Sequence, residues 1–404
     1  AFNPCRASSK SFLSHQKFNR FFLKTVPIAM MFREKINMLY KSYYRLKVNA
    51  FSSTKFHDAI AKVPILRALV SYEGNKIHEI MSGFVYSQIL HLLINLNIFQ
   101  FLKKEGRSLD EVSEYLQVAN ERSLLLLRGG CALNLICYKR NKYWLTRMGA
   151  QIVGVPGLMD MIQHNQILYR DLIDPVKLLL RENETELSHF WPYVRKEALK
   201  KQISTKVSAE YSRLMQTSQR LVAEQTLQAY SFRGAKRILD IGGGTGAFLL
   251  AVKNKYPQID ATVFDLPNVI NVAKSNQYKI DGLANLTLKS GDFLVDGLPR
   301  NQDVICLVRV LYDHEDSTIE ILLKRIYKAL PKQGVLLITE PMSGGAKAMR
   351  SSDCYFSFYT LAMTTGKVRS FEEHKAILQK SGFSNITKHV VSAPFITQVI
   401  SAKK

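Results

Sequence analysis

Acidic residues are scarce in this chain: 33 Asp and Glu stand against 56 Lys and Arg in 404 residues, a formal net charge of +23. No acid precedes Glu34, whereas eleven Lys and Arg fall between Arg6 and Lys55. That imbalance points to an anionic surface, either nucleic acid or phospholipid headgroups, or else to a solvated basic face. The acid-free start has the composition of a transit peptide, and Met30-Met31 offers an internal start as a second explanation, so residues 1–30 are set apart from the fold. Cysteine is also rare. Cys5, Cys131, Cys137, Cys306 and Cys354 are odd in number and lack a CxxC spacing, which argues against a zinc site or redox pair and fits a reducing cytoplasm. No metal is expected. Long apolar runs are missing too: the stretch from Phe84 to Leu102 is interrupted by Ser87, Gln88, His91, Asn95, Asn97 and Gln100. It falls short of the roughly 18 apolar residues of a membrane span, so no transmembrane helix is expected.

With 47% apolar residues, the chain can fill the cores of two ordinary domains. Apolar residues recur at helical spacing from Ile77 to Phe101. Ser108-x-x-Glu111 has the form of a capping box, and Asn120 to Ser123 leads into the run Leu124 to Leu127. Ile136 to Tyr138 and Tyr143 to Thr146 read as a hairpin around a polar turn. Helix, helix, hairpin is the order of a winged helix. On a basic chain it raises a DNA-binding alternative, but Leu124 to Leu127 beside only Arg122 and Arg128 suits packing or dimerisation better. No nucleic-acid partner is expected.

Beyond the helical stretch His164 to Tyr230, strands and helices alternate. Strands are expected at Arg237 to Ile241, Ala261 to Phe264, Leu286 to Leu288, Asp303 to Val310, Val335 to Glu340, Ile386 to Val391 and Phe395 to Ser401. Helices between the first six predict a doubly wound parallel sheet, and the close spacing of the last two predicts an antiparallel edge hairpin. The resulting division is a basic extension over 1–50, a helical winged-helix domain over 51–160, a helical connector carrying substrate-site residues over 161–230, and an α/β domain over 231–404.

The first of these strands runs into Gly242-Gly243-Gly244-Thr245-Gly246 and then a helix. Glycines let the backbone turn tightly and approach a ligand. Gly242-x-Gly244-x-x-Ala247 fits a dinucleotide fingerprint, while Asp240-x-Gly242-x-Gly244-x-Gly246 fits a methyltransferase loop. The acid decides. A carboxylate beside a pyrophosphate gains nothing, whereas the ammonium and sulfonium of S-adenosylmethionine favour one. Asp265, about 20 residues on, suits the ribose hydroxyls. Asp292 and Phe293 suit an adenine, by hydrogen bonding and by stacking.

With Gly83 to Gln88, Leu307 to His314, Glu340 to Gly344 and Asp353 to Met363, the chain resembles the small-molecule O-methyltransferases of plants and bacteria. Within them it is most similar to the bacterial branch acting on acyclic carotenoids of the demethylspheroidene and hydroxyneurosporene type. The resemblance covers nearly everything after about residue 50. It implies a Rossmann-like class I methyltransferase domain preceded by a mostly helical winged-helix dimerisation domain. It further implies S-adenosylmethionine contacts at Gly242, Asp265, Asp292, Phe293 and Arg309, with Tyr211 as a further contact, and a catalytic base at the position of Tyr312. Most of the family has histidine there, in Leu-His-Asp-Trp. Here Tyr312 replaces the histidine and His314 the tryptophan, while Glu340 and Val368 stand where plant members carry two glutamates.

A phenol ionises near pH 10, so neutral Tyr312 is a poor base that can still position a hydroxyl or relay a proton. His314 is the better acceptor if it reaches the site, with Asp313 to orient it. Asp316, Ser317 and Glu320 read as the cap of the next helix. Tyr355 to Tyr359 and Met363, with His164, Tyr169, Phe190 and Trp191, form the expected channel for a long apolar substrate. The sequence thus predicts O-methylation of a hydroxyl on an acyclic carotenoid, with a phenol or a tetrapyrrole as the alternative acceptor. It also predicts a homodimer, and a cytoplasmic protein that touches a membrane surface peripherally.

Overall fold

The computed structural model describes residues 34–181, 184–191, 219–276 and 285–404; Tyr211 lies outside the described residues. The chain divides into two compact units, residues 1–85 and 86–404. In the first, residues 34–51 are helical and are followed by the helix Thr54–Ala61. The helix Pro64–Asn95 corrects the sequence reading twice. It starts thirteen positions before Ile77, with proline in the first turn, where no amide donor is needed. At 32 residues it is also long and apolar enough to cross a membrane, contrary to the expectation that no such helix exists.

In the second unit Asn97, with φ 54°, separates this helix from Ile98–Leu102. The capping box forms as expected: Ser108 accepts the Glu111 amide and Glu111 accepts the Ser108 amide, starting the helix Leu109–Leu116. The helix Asn120–Ala132 precedes a hairpin of β1 (Ile136–Lys139) and β2 (Lys142–Leu145). Its two-residue turn, Arg140-Asn141, has positive φ at both positions, the twist that tight hairpins favour. Leu93, Ile98, Phe99, Val112, Leu127 and Ile136 close this core.

The sheet comprises β3 (Arg237–Ile241), β4 (Asp260–Asp265), β5 (Thr287–Ser290), β6 (Val304–Val308), β7 (Val335–Glu340), β8 (Ser384–His389) and β9 (Gln398–Lys403), in the order β5-β4-β3-β6-β7-β9-β8. The first five are parallel. β9 is antiparallel to both of its neighbours and leaves β8 at the edge, the expected hairpin. Alternate residues feed two cores: Leu239, Ile305, Leu336 and Ile400 on one face, Ile238, Val304, Leu337 and Val399 on the other. That two-sided burial is why these strands read as nearly continuous apolar runs.

Two further expectations are corrected. Residues 291–303, between β5 and β6, contain no helix; they open with a turn in which the Asp292 side chain accepts the Leu294 amide. The Ser317-x-x-Glu320 box does not form either, because the helix Asp316–Ala329 starts two residues too early and Glu315 is its uncapped N-cap. Asp316 and Glu320 instead reach Arg369 and Lys380. A second box forms where none was expected, at Ser370 and Glu373.

Candidate active site

Every described residue expected to hold the cofactor lies at or after the carboxyl end of a parallel strand, and the strand order reverses between β3 and β6, which is where such sheets open a ligand crevice. After β3, Gly242, Gly244 and Gly246 all have positive φ, between 59° and 89°. Any side chain would be strained at these positions. A Cβ on Gly242 would lie 2.9 Å from Val310, just beyond β6, so the two sides of the crevice touch there. A Cβ on Gly244 would meet nothing within 4 Å: the loop faces an open cradle.

Asp240 does not face that cradle. Its carboxylate is buried beneath the loop, against Gly243, with neither oxygen hydrogen-bonded. Burial, then the nearby Asp265, push its pKa well up. Burial thus favours its neutral form, and a sulfonium and an ammonium bound above the loop would favour the charged one. Asp265 ends β4 and holds the loop directly, accepting the Gly244 amide at 2.7 Å and the Leu266 amide at 2.7 Å. Burial raises its pKa to about 6 against those two hydrogen bonds. Each of its oxygens keeps a second lone pair for a ribose hydroxyl. After β5, half-buried Phe293 packs edge-on against His314 at 5.5 Å. The residues present thus fit S-adenosylmethionine: an open glycine cradle, an acid at its ribose end, an aromatic at its adenine end and an orphaned carboxylate beneath.

The segment after β6 carries the chemistry. Arg309 adopts φ 58°, a left-handed conformation costing a side-chain-bearing residue about 1–2 kcal/mol, while its amide donates to Thr339 at 2.8 Å. Burial opposes its charge, but the Tyr312 hydroxyl, which it hydrogen-bonds, together with Tyr359 and Asp313, raises its pKa overall. Tyr312, in the short 3-10 helix Leu311–Asp313, is buried. Burial and then Asp313 raise its pKa beyond what Arg309 offsets, so the phenol is neutral. Asp313 is buried and acts on Tyr312 and Arg309. His314 turns towards the Phe293 side, with a pKa lowered by burial against the pull of Glu340 and Asp292.

Sequence reasoning missed what holds this segment. Glu340, fully buried at the end of β7, accepts the Tyr312 amide at 3.1 Å on one oxygen and pairs with buried His374 at 2.6 Å on the other. Its charge also acts on Tyr312 and His314, and Val368 is buried as well. Arg369, 1% exposed, donates to the carbonyls of Leu311, His314 and Lys367 and to Asp316, clamping residues 311–316 from one guanidinium. Gly366 packs so closely behind Tyr312 that a Cβ would come within 2.2 Å of its carbonyl oxygen. No local sequence signal marks Arg369 or Gly366, whereas the box at Ser370 and Glu373 was legible.

Facing Tyr312 and Arg309 is an aromatic cluster from distant parts of the chain. The Tyr359 hydroxyl lies 2.7 Å from His164 Nε2 and accepts the Trp191 indole N–H at 2.9 Å. Phe190 packs on His164 at 4.6 Å, and the Tyr355 hydroxyl donates to Asn165 at 2.6 Å. A π-helix, Arg350–Phe356, with Asp353 bonded to Ser343, Gly344 and Met349, sets Tyr355 in place. Burial and then Arg309 lower the His164 pKa to about 4. Of the expected channel residues, Tyr169 packs against His91 at 6.3 Å and also faces Tyr355, whose pKa burial and then Tyr169 push up to about 12.

A parallel sheet with a glycine cradle at its switch point, an acid after the second strand and an aromatic after the third define a class I S-adenosylmethionine-dependent methyltransferase. The chain belongs to the O-methyltransferase family: the family described as O-methyltransferase domain matches residues 169–384. It is 41% identical to the demethylspheroidene O-methyltransferase of Rhodobacter capsulatus, over 89% of this chain and 90% of that protein. It is 40% identical to that of Cereibacter sphaeroides, over 89% and 94%. The structure of human N-acetylserotonin methyltransferase in complex with S-adenosylmethionine shares the fold, with TM-score 0.70 and 22% identity over 82% of this chain and 97% of that one. The protein is therefore an S-adenosylmethionine-dependent O-methyltransferase.

Proposed function

We propose that this enzyme methylates the tertiary hydroxyl of an acyclic carotenoid in carotenoid biosynthesis. The observation that carries this reading is the 40–41% identity, along about nine-tenths of the chain, to two demethylspheroidene O-methyltransferases. The apolar and aromatic cluster of His164, Phe190, Trp191, Tyr355 and Tyr359 suits a polyene end. The cofactor supplies an electrophilic methyl group. The chain's own residues then align the acceptor oxygen with it, which needs no strong base. Neutral Tyr312 and Arg309 orient that hydroxyl, and the aromatic walls exclude water. A phenolic or tetrapyrrole acceptor is the competing reading. Incubation with S-adenosylmethionine and a panel of hydroxylated carotenoids, phenols and chlorophyllides, read by mass spectrometry, decides it: methyl ethers confined to the carotenoids are expected, and methylation of phenols alone would overturn the proposal.

The same reading proposes a homodimer and a peripheral membrane contact. Ile77, Ile80, Met81 and Phe84 are exposed in the first unit, and Leu92 and Leu125 in the second, more apolar surface than a monomer usually leaves uncovered. Lys35, Lys41, Arg45 and Lys47 lie exposed on the helical residues 34–51 with Tyr40, Tyr43 and Tyr44. A C40 substrate resides in a bilayer, so an enzyme that collects it benefits from a cationic, aromatic face.

A further inference from the structure

Replacing the family's histidine by Tyr312 leaves the acceptor's proton without an evident destination. The phenol is neutral and itself bonded to Arg309, Glu340 is committed to Tyr312 N–H and His374, and His314 turns towards Phe293. One neutral nitrogen base remains among the described residues that face the aromatic cluster. His164 comes from the helix Leu158–Asp171, and Tyr359 from the helix Ser357–Ala362, 195 positions away. The Tyr359 oxygen accepts the Trp191 N–H, and with His164 in the tautomer that carries its proton on Nδ1 the Tyr359 proton is donated to His164 Nε2.

We propose that Tyr359 and His164 form the proton relay of the methyl transfer, with Tyr359 receiving the proton of the acceptor hydroxyl and His164 Nε2 storing it. The acceptor oxygen forms its bond to the methyl carbon while the carbon–sulfur pair leaves with sulfur. The acceptor's proton passes to the Tyr359 oxygen as the Tyr359 proton moves to His164, which becomes an imidazolium and later returns the proton to solvent. The groups acting on His164 are Arg309 from beyond β6 and Tyr359 itself, with Tyr312 and Tyr355 acting on it through Tyr359. Burial, and then Arg309, keep the imidazole uncharged at working pH. A weak base suffices, because the hydroxyl becomes strongly acidic only as its oxygen is alkylated, and the Arg309 charge then favours release of the stored proton. Trp191, which donates without taking a proton, fixes the direction of the relay.

This inference rests on the proposed hydroxyl acceptor, so wild-type turnover of a hydroxycarotenoid is established first; failure at that step overturns the function, whereas the outcomes below judge the relay. In His164→Gln, which keeps a hydrogen-bond partner for Tyr359 but cannot become a cation, kcat should fall by about 100-fold, the usual scale of a general base, with KM changed less than threefold. Tyr359→Phe should match it, and the double variant should fall no further. The kcat profile of the wild type should be flat above pH 6, while His164→Gln should rise with hydroxide. Independently of turnover, the 15N resonances of the His164 imidazole in the cofactor-free chain should report a neutral ring down to about pH 5. Unchanged kcat in His164→Gln, a loss confined to KM, or an imidazole that titrates near 6.5 would each overturn the relay.

Discussion

The carboxylate of Glu340, fully buried at the end of β7, holds the backbone N–H of Tyr312 at 3.1 Å and thereby sets the turn that presents both Tyr312 and Arg309. The same carboxylate is held by His374, so it is the pivot between the sheet and the helix Phe371–Lys380. Glu340→Gln keeps the shape but weakens both bonds. A stability loss of about 1.5–3 kcal/mol is expected, as for charge-assisted hydrogen bonds, together with a lower kcat and little change in cofactor affinity. Denaturant unfolding and titration calorimetry check it, and unchanged stability would remove Glu340 from this role.

Asp265 bridges the glycine loop and the proposed ribose site. Asp265→Ala should weaken S-adenosylmethionine binding by about 1.5–3 kcal/mol, with nicotinamide dinucleotides bound by neither chain. An unchanged calorimetric affinity would overturn the ribose assignment.

His164 also predicts a pH dependence of folding. Its pKa is lowered from 6.5 to about 4, so the native state holds this proton less tightly than the unfolded chain. Its contribution is full above pH 6.5 and is lost as pH falls towards 4, on the order of 3 kcal/mol for a group with little exposure. Melting curves between pH 7 and 4 should therefore fall less steeply in His164→Gln than in the wild type; parallel curves would contradict the lowered value.

The homodimer is expected to persist at low micromolar concentration. Light scattering should give twice the 46.0 kDa chain mass, and Leu125→Glu, at an exposed position of the helix Asn120–Ala132, should shift it towards the monomer. A monomer mass at every concentration would sink the proposal.

Binding to anionic vesicles should be reversible by salt, since each Lys or Arg near an acidic leaflet contributes about 1 kcal/mol within a Debye length. Neutralising Lys35, Lys41, Arg45 and Lys47 together should abolish it. Flotation at low salt in which the wild-type chain stays with the soluble fraction would leave those residues as a solvated face.

Local chemistry made much of the catalytic fold legible. Nearly continuous apolar runs, the glycine loop, Asp265 and the Ser108 box act over a few residues, so their physics is complete within a short window. The same locality misled at Ser317, where the box pattern is present but Arg369 and Lys380 draw Asp316 and Glu320 into contacts from 53 and 60 positions away. It also placed Asp240 in the ligand site because strand and loop are adjacent in sequence, whereas burial sets its carboxylate beneath the loop.

The sequence by itself determined the class of cofactor and the parallel sheet that holds it, because a glycine cradle and strand-end acids carry their geometry with them. Only the tertiary structure decided how the methyl acceptor's surroundings are built. His164, Trp191, Arg309, Tyr312 and Tyr359 come from four separate segments, and the Arg369 clamp behind them is a buried charge that nothing in its neighbours announces. Desolvation and long-range pairing set their protonation states, and both exist only once the chain has closed around them.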